Sequence, residues 1–173
     1  MMPEETKDST VTTPRNAITT PMRTDNGLRF DVFERMFFAY RDFTRGPDIV
    51  LAKFGFGRAH HRVLYFVNRA PGIRMTELLE ILDITKQSLA RVLRQLVDAG
   101  HILQHTNPND RRARLLYPTE KGRDLALDLS RSQSRRIEEA MESLGPAGAE
   151  AAKTFLQLLI SEADRETIRK LEG

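Results

Sequence analysis

A mainly α-helical fold with one small β-hairpin is the class this sequence predicts, and three observations carry the expectation. Apolar residues recur at helical spacing over most of residues 28–171. Two short helical segments at 76–82 and 85–99 are joined by a tight link, the arrangement of a helix-turn-helix. Directly after them comes a basic, turn-rich stretch, Asn107-Pro108-Asn109-Asp110-Arg111-Arg112-Ala113-Arg114, between two short extended runs. The expected architecture is therefore a winged helix-turn-helix lobe at 58–118. N-terminal helices at 28–57 and C-terminal helices at 119–173 flank it, and a disordered tail at 1–27 precedes it.

Residues 1–27 contain seven threonines, no aromatic residue and no helical period, the composition of a tail that buries nothing. Phe33, Met36, Phe37, Tyr40 and Phe43 then recur as an apolar helical stripe, with Phe30 and Phe38 adding aromatic bulk. Gly46-Pro47 is expected to interrupt this helix, with a second short one over 48–54. The next helix covers 58–69, with Val63, Phe66 and Val67 on one side, and Pro71-Gly72 stops it. Ile73-Arg74-Met75 reads as a short extended piece. Thr76 is expected to cap the first helix of the pair, with Leu78, Leu79 and Leu82 inward. Asp83-Ile84 forms the link, and Thr85 caps the second helix, in which Leu89, Val92, Leu93 and Leu96 share a face up to Gly100.

Strands are expected at 101–106 and 114–117, with the turn at 107–110. A long helix begins near Thr119 and breaks at Gly145-Pro146. A last helix is expected over 147–171, with Ala152, Phe155, Leu159 and Ala163 in register. Six aromatics between Phe30 and Phe43 are more apolar surface than a small winged lobe can cover, and the C-terminal helices share this excess. Such patches mark an interface, which two copies of the chain related by a two-fold axis would bury.

Composition narrows the function classes. The chain has 173 residues, no cysteine and no apolar run of membrane-spanning length. No apolar leader marks a secretory signal, so the cytoplasm is the expected location, with no membrane partner. The net charge of +3 is unevenly distributed. Residues 85–123 carry eight Lys/Arg against three acids, +5, which leaves −2 for the rest of the chain. A basic patch on a near-neutral body is the electrostatic footprint of a nucleic-acid binder.

The residue types in the two motifs fit that chemistry. A recognition helix meets base edges with its N-terminal residues, which here are Lys86, Gln87 and Ser88, with Arg91 one turn on. Gln pairs bidentately with adenine, Arg or Lys with guanine, and Ser with either. Arg94 stands a further turn along, better placed for phosphate, and Thr85 is a cap whose hydroxyl lies where phosphate can also bind. In the hairpin, Arg111, Arg112 and Arg114 are candidates for DNA contact, the arginines at the turn for a narrow minor groove. Asp110 is expected to shape the wing internally by accepting hydrogen bonds from an arginine or from turn amides.

The run Asp110-Arg111-Arg112, followed by Thr119-Glu120-Lys121-Gly122, resembles the wing signature of the MarR family of bacterial regulators. The resemblance extends through Leu96-Val97-Asp98-Ala99-Gly100-His101-Ile102 and the helix at 60–64, so that about 28–171 follows the family layout. Pro118 stands where the family usually has leucine, which puts the pairing of the last strand in question. The resemblance implies an obligate homodimer, each lobe reading half of a pseudo-palindromic operator in double-stranded DNA. It also implies release by a small effector, often an aromatic or phenolic ligand, bound between the dimerisation helices and the lobe. No resident cofactor or metal is expected.

Two other readings compete. An enzyme would need chemistry that is missing here: there is no phosphate-binding glycine loop, no His-Glu-x-x-His helix and no cysteine nucleophile. A winged-helix protein-interaction module without DNA binding would carry acids or apolar residues at the helix tip and wing, where Lys86, Gln87, Arg91, Arg111 and Arg112 stand.

Overall fold

The computed structural model describes residues 17, 18, 20–22, 27–107 and 110–172, with the backbone alone at 111 and 112. Most of the tail expected at 1–27 therefore lies outside the described residues. The chain forms two compact units, Met1–Phe38 and Ala39–Gly173. In order, the elements are α1 (Phe30–Ala52), α2 (Arg58–Arg69), β1 (Ile73–Arg74), α3 (Met75–Leu82) and α4 (Lys86–Asp98). These are followed by β2 (Ile102–Asn107), β3 (Asp110–Pro118), α5 (Glu120–Leu159) and α6 (Glu162–Glu172). The three strands form one antiparallel sheet in the order β1-β3-β2. The mainly helical class with a small β-wing is as the sequence predicts.

In the first unit, the α1 residues Phe33, Met36, Phe37 and Phe38 are exposed. The helix start is tied locally, by Arg29 to the Asp31 carboxylate and by Arg35 to the Asp31 carbonyl.

The second unit holds one core. Leu51, Val63, Leu64, Val67, Leu78, Leu89, Leu96, Ile102, Leu116 and Leu129 are fully buried in it. Each such side chain stabilises the fold by about 1.5–3 kcal/mol relative to exposure. They come from α1, α2, α3, α4, both hairpin strands and the start of α5, so the lobe and the first half of α5 fold as one body.

Four expectations are corrected. Gly46-Pro47 does not interrupt α1, although Pro47 lies inside it and cannot donate to the Phe43 carbonyl. The Gln133 side chain from α5 donates to that carbonyl at 3.4 Å, and Pro47 itself is buried, so packing on α5 carries the helix through the proline. Thr76 is not the cap of α3. The helix begins one residue earlier, with the Arg74 amide held by the Glu77 carboxylate at 2.8 Å. The returning strand is longer than 114–117, because β3 reaches Asp110, which pairs with Asn107. Residues 108 and 109, at the expected turn, lie outside the described residues. The last helix is not continuous over 147–171. Gly145 (φ 69°) kinks α5 as expected, but α5 ends at Leu159 and Ser161 starts a new helix, its hydroxyl accepting from the Asp164 amide at 3.2 Å. The Ser161-x-x-Asp164 spacing is a capping signal that the apolar register masked.

Candidate nucleic-acid interface

The α4 helix divides cleanly by face. Leu89, Val92, Leu93 and Leu96 are buried, while Lys86, Gln87, Ser88, Arg91 and Arg94 are exposed. Gln87, Ser88, Arg91 and Arg94 line one open concavity along the outer face with Ala90. The link to α3 turns at Asp83, whose left-handed backbone (φ 46°) reverses the chain before Thr85. The Thr85 hydroxyl accepts from the Ser88 amide at 3.2 Å and donates to the Ser88 hydroxyl at 2.9 Å. Its capping role is thus direct, and the Thr85 proton is already engaged. The Ser88 hydroxyl keeps its own proton to donate outward.

A histidine positions α4 from behind. The Gly57 amide donates to His60 Nδ1 at 3.1 Å, which leaves the proton on Nε2 to reach Gln95 Oε1 at 2.9 Å. Phe56 stacks on the His60 ring at 4.6 Å. In the sequence His60-His61 is only an adjacent pair on a helix. The link to Gln95 becomes visible once α2 lies across α4.

The wing grows from the end of α4. His101, only 1 % exposed, packs edge-on against Phe54 and Phe56, and both its ring nitrogens lack a hydrogen-bond partner among the described residues. Burial, and then the nearby Lys121 charge, push its pKa below the ordinary histidine value. Strand pairing runs from Ile102 opposite Pro118 to Thr106 opposite Arg114, then jumps to Asn107 opposite Asp110. Pro118 therefore ends the strand within the pairing, a position where a missing donor is tolerated. The jump leaves residues 111–113 without opposite partners, a bulge that carries Arg111 and Arg112 in the stretch next to the turn. Their side chains lie outside the described residues. The exposed Arg114 guanidinium donates to the Thr106 hydroxyl across the hairpin. Asp110 is exposed at the strand's outer end.

The threonine and glycine of the wing signature acquire a physical reason here. The Thr119 hydroxyl accepts from the Gly122 amide at 2.9 Å and donates to the Gly100 carbonyl at 2.7 Å, while Lys121 Nζ reaches the Ala99 carbonyl at 2.9 Å. A β-carbon on Gly122 would lie 2.0 Å from the His101 carbonyl oxygen, so only glycine fits where α5 crosses the root of the wing.

Pairing of β1 with β3 places Arg74 opposite Leu115 and brings it beside the wing. Arg74, Thr76, Leu79, Lys86, Asp110 and Arg114 contribute to the lining of a cleft of about 360 Å³ between α3, the tip of α4 and β3. Sequence patterning singles out Lys86, Asp110 and Arg114 but not Arg74, because only the sheet brings it there. Among the described residues, no group of three or more His, Asp or Glu could hold a metal ion. No described helix is long and apolar enough to cross a membrane.

Residues 54–113 match the model of the MarR family. The chain is 42 % identical over 149 residues to the HTH-type transcriptional regulator PetP of Rhodobacter capsulatus, covering 86 % of this chain and 89 % of that protein. It is similar in fold to the MarR protein of Peptoclostridium difficile, with a TM-score of 0.68 at 17 % identity over 90 % of this chain and 97 % of that one. It is also similar to a MarR family transcriptional regulator of Listeria monocytogenes solved in complex with a 26mer DNA. That match has a TM-score of 0.64 at 21 % identity, over 73 % of this chain and 85 % of that one. With its winged helix-turn-helix lobe and a regulator of such identity over nearly its whole length, the chain belongs to the MarR family of transcriptional regulators.

Proposed function

We propose that the protein is a sequence-specific regulator that binds double-stranded DNA as a homodimer, one lobe to each half of a pseudo-palindromic operator. The observation that carries the reading is the division of α4, which turns Lys86, Gln87, Ser88, Arg91 and Arg94 outward from a buried leucine face beside a basic wing. In this reading Lys86, Gln87, Ser88 and Arg91 meet base edges in the major groove, and Arg94 meets phosphate. Arg111 and Arg112 enter the minor groove, Arg114 supports the backbone contact, and Thr85 and Asp110 hold the two motifs in shape. The lobe is residues 58–118, with 28–57 and 119–173 serving dimerisation. The Listeria regulator solved with DNA supports this partner class by its shared fold. That the PetP relative is a regulator supports a non-enzymatic role.

Release by a small aromatic or phenolic ligand is the control we assign. A hollow of about 210 Å³ between α2 and α5 supports it, lined in part by Tyr65, Arg69 and Arg123, with Asn68 Oδ1 buried and without a partner among the described residues. An aromatic ring with an acidic group would meet Tyr65 and the two guanidiniums there.

The direct test is binding to duplex selected from random DNA, measured across salt concentrations. For a dimer neutralising about 6–10 phosphates, affinity falls roughly 10³–10⁵-fold between 50 and 200 mM salt. A flat response, or no enrichment of any sequence, would overturn the reading.

A further inference from the structure

We infer that the cleft between the recognition helix and the wing grips a backbone phosphate of the DNA strand that those two elements straddle, with Arg74 as its principal cation. The inference rests on the DNA-binding reading above and adds a contact that neither motif contains. Neighbouring major and minor grooves of a duplex are separated by one sugar-phosphate strand. A protein with its helix in one groove and its wing in the other must pass that strand between them. In this chain the space between them is the cleft formed by β1, α3, the tip of α4 and β3.

Its lining suits a phosphate. Arg74 comes from β1, Lys86 from the first position of α4 and Arg114 from the wing, against the single carboxylate of Asp110. Arg74 and Lys86 are exposed and form no ion pair among the described residues, so a phosphate need not displace an existing partner. Glu77, the acid nearest in sequence, is not part of the lining, and its carboxylate holds the Arg74 backbone amide. The Thr76 hydroxyl adds a neutral donor in the first turn of α3. Leu79 adds an apolar stretch to the lining between them.

A cation that meets phosphate lowers affinity for all sequences alike when it is removed, and it takes its share of the salt dependence with it. Two Arg74 contacts per dimer correspond to a slope change of about 1.8 in log affinity against log salt. That is a loss of about 30-fold at 0.15 M salt, vanishing towards 1 M.

The experiment compares full-length wild type, Arg74→Ala and Arg74→Lys on the selected duplex and on an unrelated duplex of equal length. Thermal unfolding of each variant is measured alongside. The expected result is a reduced slope and about 30-fold weaker binding for Arg74→Ala on both duplexes, with base preference unchanged and the slope restored in Arg74→Lys. A methylphosphonate scan of the duplex should find one position per half-site where removing the phosphate charge weakens wild type but not Arg74→Ala. Wild-type binding with an unchanged slope in Arg74→Ala would overturn this inference alone. A change of base preference in Arg74→Ala would overturn it in favour of base readout, and absence of DNA binding by wild type would overturn the reading on which it rests.

Discussion

His101 shows how one side chain ties protonation to stability. Its ring sits in an aromatic box without hydrogen-bond partners among the described residues, and burial, then Lys121, lowers its pKa. The folded protein therefore holds it neutral at a pH where the unfolded chain already binds a proton. A lowered histidine pKa leaves stability intact above the unfolded value, about 6.5, and erodes it as the pH falls below that value. His61 acts in the same direction through its burial, opposed by Asp48. Each group contributes at most about 1.4 kcal/mol per pH unit. His101→Phe, which keeps a flat ring in the box, should lose part of this dependence: urea midpoints at pH 7.5 and 5.5 should differ less than in wild type. Equal pH dependence in the two proteins would count against a neutral, buried His101.

At the scale of elements, most of the lobe that a local rule governs was legible in the sequence. The α2 helix, the Thr85 cap and the α4 leucine face follow from apolar spacing and capping chemistry, and the kink at Gly145 from its glycine-proline pair. Two competing local caps were missed, Glu77 on the Arg74 amide and Ser161 on the Asp164 amide, and the rest of what escaped the sequence depends on distant partners. Pro47 passes inside α1 because Gln133, far along the chain, meets the carbonyl it leaves free. Arg74 reaches the wing through sheet pairing alone. The bulge at 111–113 is a matter of register, which hydrophobic pattern does not fix in so short a hairpin. For the candidate site, the exposed face of α4 supports a division of labour. Gln87→Ala and Arg91→Ala should each relax base choice at one position per half-site, costing about 1–3 kcal/mol. Arg94→Ala should weaken all sequences alike. Sequence selection with each variant is the check, and unchanged base preference in both Gln87→Ala and Arg91→Ala would refute the assignment.

At the scale of the whole molecule, each unit leaves apolar surface in water. Phe37 in the first unit is 64 % exposed, and Leu158 in the second is 70 % exposed, with Phe155, Leu156 and Leu159 beside it in sequence. Burying such side chains against a second copy would stabilise a dimer by about 25 cal/mol for each Å² removed from water. Phe155→Asp combined with Leu158→Asp should shift the protein to monomer in sedimentation and weaken binding to a two-half-site duplex, while the lobe stays folded. Dimers that persist unchanged would place the interface elsewhere. The clamp of Thr119, Lys121 and Gly122 on the end of α4 and the root of the wing carries a mechanical consequence. From Glu120 to the kink at Gly145, α5 is a rod of 25 residues, ~37 Å at 1.5 Å per residue. Its first half is built into the core of the lobe, so rod and lobe move together: tilting them by ~5° about the kink displaces the wing end by ~3 Å. Slight angular adjustments near the kink would thus be magnified into ångström-scale travel of the exposed α4 face and the wing.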